Sequence, residues 1–356
     1  MLYLVFTTGR CNLSCKYCGG SFPRDLVPWE VKYDIKELKS FLEEDPEPSI
    51  AFYGGEPLLN ARFIVKVLQE IEAKHFIMQT NGLLVPKLEP KLWRIFDTIL
   101  LSIDGRKEIT DTYRGKGVYN AVLRAARYLR KCGFKGDLIA RMTITEDSDI
   151  YLDVTHLLEL GLFNHVHWQL NVVWSPPWKD FKKWLTESYE PGISKLSKLW
   201  IENFKSGTVL GIAPFLGILK RIWMNGTSPP CGAGVNSFAI LTNGKIIACP
   251  IAVDAKWAYL GHISTHSPKE LPGKVSLEDP CPTCPLFKYC GGRCLYANRE
   301  RYWNEEDFRL VCRATQSLIN EVLKLKPKIE ELVSKGLIQK KSLEYPKFNN
   351  TVEIVP

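Results

Sequence analysis

Cys11-Asn12-Leu13-Ser14-Cys15-Lys16-Tyr17-Cys18 follows closely on the β-rich run LYLVFT (from Leu2), so one short loop presents three thiols at the end of a strand. The same pattern recurs outward along the chain. SIAFY (from Ser49), HFIMQT (from His75), TILLSID (from Thr98), DLIARMTI (from Asp137) and HVHWQL (from His165) each read as strands, separated by helix-length segments such as YNAVLRAARYLRKCGF (from Tyr119). Six βα units fit by residue 172. Parallel strands joined by helices close into a barrel or lie in a doubly wound sheet, and in barrels the reactive groups gather at the C-terminal ends of the strands. The three cysteines stand at such an end.

Soft thiolates take zinc or iron-sulfur clusters, so donor type alone leaves both open. A zinc site usually closes four ligands from two short motifs, whereas no nearby His or Cys completes this trio; on an iron-sulfur cluster, three thiolates would leave one iron open. At the end of the second strand, Gly54-Gly55-Glu56-Pro57 offers backbone that a ligand can approach closely and a carboxylate that can receive an ammonium. Thr80-Asn81-Gly82 ends the third strand. Leu101-Ser102-Ile103-Asp104-Gly105 ends the fourth, with Tyr113-Arg114-Gly115 after it. Capping and turn formation would use Ser102 and Asp104 equally well.

C-x3-C-x2-C after the first strand, with GGEP one βα unit later, resembles the radical SAM superfamily. The resemblance implies a partial (βα)6 TIM-like barrel in an α/β fold and a 4Fe-4S cluster on Cys11, Cys15 and Cys18. It further implies that the open iron is chelated by S-adenosylmethionine, which an injected electron cleaves to a deoxyadenosyl radical that abstracts hydrogen from substrate. Gly54, Gly55, Glu56 and Pro57 would meet the methionine amine, with Thr80 and Asn81 at the adjoining strand end. Ser102 and Arg114 would hold the carboxylate, which suits a guanidinium fork, and the backbone at Tyr17 would meet the adenine.

A second group of cysteines runs Cys231, twelve residues, Gly244, four residues, Cys249, then Cys281-x2-Cys284-x5-Cys290-x3-Cys294, and finally Cys312. So many thiols in one short stretch do not suit a reduced apolar core, and a two-zinc ribbon is the rival to iron-sulfur. The whole pattern resembles the cysteine-rich SPASM domain. That resemblance implies a distal cluster on Cys281, Cys284, Cys290 and Cys312 and a proximal one on Cys231, Cys249 and Cys294. The proximal cluster then has only three Cys ligands, because WMNGTSPP (Trp223 to Pro230) contributes none, and its fourth position is open or filled by another group. Three 4Fe-4S clusters are therefore expected. Cys132, before a Gly that looks like a helix cap, reads as structural. His165, His167 and Gln169 share one face of their strand; the histidines suit a core, and Gln169 is the better placed for substrate.

The domain reading is residues 1–172 barrel, 173–230 helical bridge, 231–315 SPASM domain and 316–356 a C-terminal helix, read over Leu318 to Leu337, with a polar tail. At 356 residues the chain exceeds one ordinary core. No apolar run approaches the roughly 20 residues that span a bilayer, and no leader precedes the first motif, which predicts a cytoplasmic protein without a membrane partner. The formal charge of +8 is scattered and mixed with acids, unlike a nucleic-acid stripe.

SPASM relatives mostly modify peptides or proteins, by cross-linking or side-chain oxidation, so a peptide or protein substrate is expected, with an electron donor such as ferredoxin or flavodoxin. Alternatives are maturation of a small quinone or haem-like precursor, and a SAM-independent iron-sulfur electron carrier, which would leave GGEP unexplained. With the first cysteine so near Met1, no N-terminal leader-binding domain is expected, and recognition falls to the bridge, the SPASM face or another protein. Sulfatase-maturing relatives carry Gln before GGEP and Asp after the second auxiliary cysteine, where this chain has Tyr53 and Pro250, which counts against that subtype.

Overall fold

The structure, a computed structural model, describes residues 1–345 apart from Asn225, Thr227 and Tyr302; the last part of the expected polar tail, residues 346–356, lies outside the described residues. Strands and helices alternate as the patterning predicts: β1 (Leu2–Thr8), α1 (Ile35–Glu43), β2 (Ser49–Gly54), α2 (Ala61–Glu70), β3 (His75–Thr80), β4 (Thr98–Ser102), α3 (Lys107–Arg114), α4 (Val118–Lys131), β5 (Asp137–Ile144), α5 (Ile150–Glu159) and β6 (His165–Leu170). Helices α6 (Phe181–Trp184), α7 (Glu190–Phe204) and α8 (Ala213–Met224) follow. The chain continues through β7 (Ser237–Ile240), β8 (Lys245–Ile247), β9 (Tyr259–His262), α9 (Phe287–Cys290), α10 (Leu295–Glu300) and α11 (Glu305–Ser334). The fold is α/β with a mostly parallel sheet. Between β3 and β4 the connection is made by 3-10 turns, Val85–Lys87 and Pro90–Ile95, each with a proline in its first turn, where a missing N–H costs nothing.

Contacts divide the chain into two units, Met1–Ile103 with Thr110–Ile139 and Cys231–Ser276, and Asp104–Ile109 with Ala140–Pro230 and the residues from Leu277 onward. The first unit holds neighbouring strands in the order β4-β3-β2-β1-β7-β8-β9. β1 is buried along its whole length, as its unbroken apolar run requires of a strand covered on both faces. It pairs in parallel with β2, Phe6 opposite Tyr53, and with β7, Leu2 opposite Ser237. β8 and β9 complete the edge antiparallel. Asp34 caps α1 by accepting from the Lys36 amide at 2.8 Å, and Leu38, Phe41 and Leu42 form its buried stripe.

The second unit contains β6 and the helices from α5 onward that lie outside the first. Its core is aromatic: Trp168, Tyr189, Trp200, Phe204 and Phe215 are fully buried, and Trp200 meets Phe204 and Phe215 edge-on at 4.8 and 5.3 Å. The segment read as a helical bridge is helical, and its α7 is tied to α11 by a two-pronged Arg313–Glu190 pair at 2.9 and 2.8 Å. α11 begins thirteen residues before the expected Leu318. Asn304 caps it through the Asp307 amide, and Glu305, Glu306 and Asp307 complement the dipole of its first turn. Among the described residues no helix is long and apolar enough to cross a membrane.

Candidate active site and cysteine cavity

The cysteine loop leaves β1 through Thr8 and is held at its base by its own neighbourhood. The Thr8 hydroxyl donates to the Trp29 carbonyl at 2.6 Å and accepts from the Arg10 amide, while the Phe22 amide donates to the Gly9 carbonyl at 2.8 Å. Within the loop, the Cys11 sulfur accepts from the Leu13 amide at 3.4 Å and the Cys18 amide donates to the Cys15 carbonyl at 3.1 Å. Cys15 is buried, Cys11 half-buried and Cys18 exposed. Burial pushes the Cys11 thiol up. A hydrogen bond with Cys15 pulls the Cys18 thiol down to about 6 against its partial burial, helped by the Gly20 amide and the Arg114 charge, which favours the ligating thiolate form.

The GGEP segment is what braces this loop. The Gly55 amide donates to the Thr8 carbonyl at 3.1 Å and the Glu56 amide to the Arg10 carbonyl at 2.8 Å. A Cβ at Gly54 would overlap the Thr8 carbonyl, and one at Gly55 would overlap the Arg10 carbonyl and stand 2.9 Å from the Cys11 nitrogen. The close approach that demands paired glycines is thus to the cysteine loop itself.

Glu56 is 1% exposed, and its carboxylate is already engaged: Oε1 accepts from the Thr80 hydroxyl at 2.7 Å and the Leu58 amide at 3.1 Å, and Oε2 from the Asn81 amide at 2.8 Å. Burial pushes its carboxyl above the usual range, opposed by those three bonds. Pro57 opens the 3-10 turn Pro57–Asn60 that Glu56 caps. Asn81 in turn donates to the Asn12 side-chain oxygen at 2.8 Å, which ties the third strand's end to the cysteine loop. Asn12 was not singled out in the sequence, although it lies inside C-x3-C.

Tyr17 stacks on Tyr113 at 5.9 Å, and the Arg114 guanidinium sits 5.4 Å over the Tyr17 ring. The Lys16 amide donates to the Tyr113 carbonyl at 2.9 Å, so the YRG segment closes on the same loop. Ser102 and Arg114 are both buried at 8% exposure. Tyr113, named in the sequence only as part of its motif, joins this group through its ring and its carbonyl.

In the second unit, Cys281, Cys284, Cys290 and Cys312 line one cavity of about 50 Å³ together with Phe287, Phe308, Val311 and Arg293. That is several times the roughly 10–15 Å³ a single water needs. Two helices and a turn bring the four together: Cys290 ends α9, Cys312 lies on α11, and the Cys284 amide donates to the Cys281 carbonyl at 3.1 Å. Burial pushes the Cys281 and Cys312 thiols up and Cys290 up to about 12. Arg293, a charged residue in a three-residue spacer, was missed. Cys294 caps α10 in the second unit, whereas Cys231 and Cys249 belong to the first, where Gly234 and Ala248 are joined by a backbone bond of 3.1 Å. Among the described residues no three His, Cys, Asp or Glu converge on one point as a mononuclear site requires.

Cys132 is buried at the C-cap of α4, His167 is fully buried, and Gln169 is bonded to Arg141. Asp104 accepts from the Thr143 amide at 2.8 Å.

The profile of the radical SAM superfamily matches residues 5–153. The chain is 25% identical over 339 residues to a cysteine-type anaerobic sulfatase-maturating enzyme of Clostridium perfringens, covering 85% of this chain and 91% of that one. It is 30% identical over 326 residues to the mycofactocin maturase MftC of Mycolicibacterium smegmatis, covering 82% and 76%. A solved structure of anSMEcpe with bound AdoMet and Cp18Cys peptide has the same fold, with a TM-score of 0.71 at 20% identity over 94% of this chain and 99% of that one.

Proposed function

This chain belongs to the radical SAM superfamily and is an enzyme, and on that premise we propose that it cleaves S-adenosylmethionine reductively and abstracts hydrogen from a peptide or protein substrate. The observation that carries the reading is the bracing of the Cys11–Cys18 loop by Gly55, Glu56 and Asn81. Three thiols, one of them drawn toward thiolate, stand on a loop that Gly55, Glu56 and Asn81 hold, a donor set that suits a cluster with one open iron. When bound, that cluster supplies the electron that breaks the sulfonium carbon bond of S-adenosylmethionine.

The chain's own residues do the holding. Cys11, Cys15 and Cys18 would ligate the cluster; the Gly54–Pro57 segment would meet the methionine amine; Ser102 and Arg114 would take the carboxylate, with Thr80 and Asn81 fixing the floor through Glu56. Tyr17, backed by Tyr113, offers backbone and ring to the adenine. Cys281, Cys284, Cys290 and Cys312 would hold a second, fully ligated 4Fe-4S cluster in their shared cavity, while Cys231, Cys249 and Cys294 keep only the role that the sequence resemblance implies, a third cluster whose fourth position is open or filled by another group. A cytoplasmic setting and a donor such as ferredoxin or flavodoxin complete the reading.

The peptide substrate is supported by the names of the relatives, a sulfatase-maturating enzyme and a mycofactocin maturase, and by the peptide bound in the anSMEcpe structure. The test is deoxyadenosine formation by the reconstituted chain with a panel of cysteine-containing peptides and, separately, quinone and tetrapyrrole precursors. Stimulation by peptide with a change in peptide mass supports the reading; stimulation confined to a small-molecule precursor contradicts it.

A further inference from the structure

Parallel pairing in the first unit lines up one row of side chains across four strands. Phe6 stands opposite Tyr53 between β1 and β2, and Gln79 opposite Leu100 between β3 and β4. β2 and β3 pair Phe52 with Met78, so Tyr53 and Gln79, one residue on in each strand, are neighbours too. Side chains alternate along a strand, which sets this row on the face opposite Tyr3, whose ring meets Phe41 of α1 at 5.7 Å. The row therefore looks away from α1, and Ser102, two residues beyond Leu100, shares its face.

Three members of the row are aromatic or aliphatic. Phe6 and Leu100 are fully buried, and the Phe6 ring lies 5.2 Å from Tyr53 and 5.6 Å from Phe22. The fourth member is a half-buried carboxamide whose Oε1 is shut off from water and has no hydrogen-bond partner among the described residues. An acceptor stripped of water without a donor in exchange opposes folding, and an apolar side chain of the same length would avoid that cost. The fold itself therefore gains nothing from an amide here. Its place is telling: Gln79 precedes Thr80, which bonds Glu56, so the unpaired oxygen lies at the end of the strands that carries the motifs. The indole nitrogen of Trp93 is likewise unpaired, but it lies before β4, at the opposite end.

We propose that Gln79 contacts the substrate, its carboxamide hydrogen-bonding a backbone peptide group of the bound chain. The inference rests on the peptide reading of the substrate and names a residue that recognises it. A carboxamide carries an acceptor oxygen and two N–H donors, and the group that answers both is another amide, which every peptide bond supplies whatever its side chain. The last side-chain torsion of a glutamine is broad and roughly two-fold, so a half-turn exchanges its oxygen and nitrogen and brings either one to a ligand. Two residues of strand, about 7 Å, separate the level of Gln79 from that of Ser102, the residue assigned to the S-adenosylmethionine carboxylate, which leaves the amide to the second ligand. No bond is made or broken at Gln79, and no electron passes through it.

The experiment uses the full reconstituted chain. Its probe is the peptide of the cysteine-containing panel that most stimulates deoxyadenosine formation, with copies N-methylated at one backbone position at a time. Gln79→Met, which keeps the length of glutamine without its amide, is expected to raise the KM for that peptide at least about tenfold, with a smaller change in kcat at saturating peptide. In the wild type one N-methylated position is expected to lose about as much; in Gln79→Met the same methyl group should add little, because the bond it removes is already gone. Urea unfolding of the cluster-free chain gives a readout that needs no substrate: Gln79→Met should unfold at or above the wild-type midpoint, since the buried acceptor has no partner to lose. A lower midpoint means that the chain satisfies the amide by itself and overturns the proposal. An unchanged peptide KM, a rise confined to the KM for S-adenosylmethionine, or an N-methylation pattern that is the same in both chains also overturns it and leaves the peptide reading standing. Absence of stimulation by any peptide overturns the peptide reading and this proposal with it.

Discussion

Replacing Glu56 tests whether this carboxylate organises the floor of the site. Its two oxygens serve three donors, the Thr80 hydroxyl at 2.7 Å, the Asn81 amide at 2.8 Å and the Leu58 amide at 3.1 Å, at a position 1% exposed. Glu56→Ala leaves two buried backbone N–H groups without acceptors, each worth about 1–3 kcal/mol, while the Thr80 hydroxyl can turn elsewhere. Part of that loss is returned because a carboxylate no longer has to be kept out of water, so a net destabilisation of about 2–4 kcal/mol is expected. Glu56→Gln keeps one oxygen for Thr80 and Leu58 but sets an NH2 group against the Asn81 amide, and should lose about 1–3 kcal/mol. The assay is urea unfolding of the reduced, cluster-free chain, followed by circular dichroism and by tryptophan fluorescence separately, because two units need not unfold in one step. Wild-type unfolding midpoints in Glu56→Ala would refute the reasoning, since they would mean that Asn81 and Leu58 do not depend on this carboxylate.

Glu56 also carries a pH signature. With its folded carboxyl held above the ordinary value by burial, the folded chain keeps a proton that the unfolded chain has released. Its contribution to stability is therefore largest at or below the ordinary carboxylate value and declines as pH rises from there through the raised one; Glu56→Gln should lack that component in urea midpoints measured across the range. Gly55→Ala should displace the cysteine loop, because the added Cβ meets the Arg10 carbonyl and the Cys11 nitrogen; colorimetric iron assay should find about four fewer irons per chain, and retention of full iron would count against the clamp. Cys312→Ala should also cost about four irons per chain while sparing basal S-adenosylmethionine cleavage, which is measured as deoxyadenosine; an unchanged iron count would separate Cys312 from the cavity's cluster.

Much of this arrangement is legible in the sequence, for identifiable reasons. All six expected barrel strands start where their β-rich runs start, because β-branched and aromatic side chains concentrated over five to eight residues favour a pleated, largely buried strand. The pairing of β7 with β1 is not readable in the same way: parallel partners far apart in sequence leave no local signal, and only the structure groups Cys231–Ser276 with the first unit. GGEP was visible as a motif, but its physical basis was only half visible. The glycines admit the Thr8–Cys11 backbone, and Glu56 is consumed by Thr80, Asn81 and Leu58, contacts that no spacing rule encodes. α11 starts well before Leu318 because Asn304 and three acids in a row cap a helix that runs on through Cys312, so that cysteine is carried by the helix rather than by a turn. The spacing of the cysteines does not mark Arg293 either; its burial and its place in the cavity lining come from the fold.

The central claim is reductive cleavage of S-adenosylmethionine on the Cys11, Cys15 and Cys18 loop. It is tested most directly by deoxyadenosine production from the anaerobically reconstituted chain given S-adenosylmethionine and a strong reductant, beside the triple variant Cys11→Ala, Cys15→Ala and Cys18→Ala. The account predicts production by the wild-type chain, carrying about twelve irons as three four-iron clusters require, and none by the variant. A wild-type chain with its first cluster loaded and no deoxyadenosine formed would contradict it.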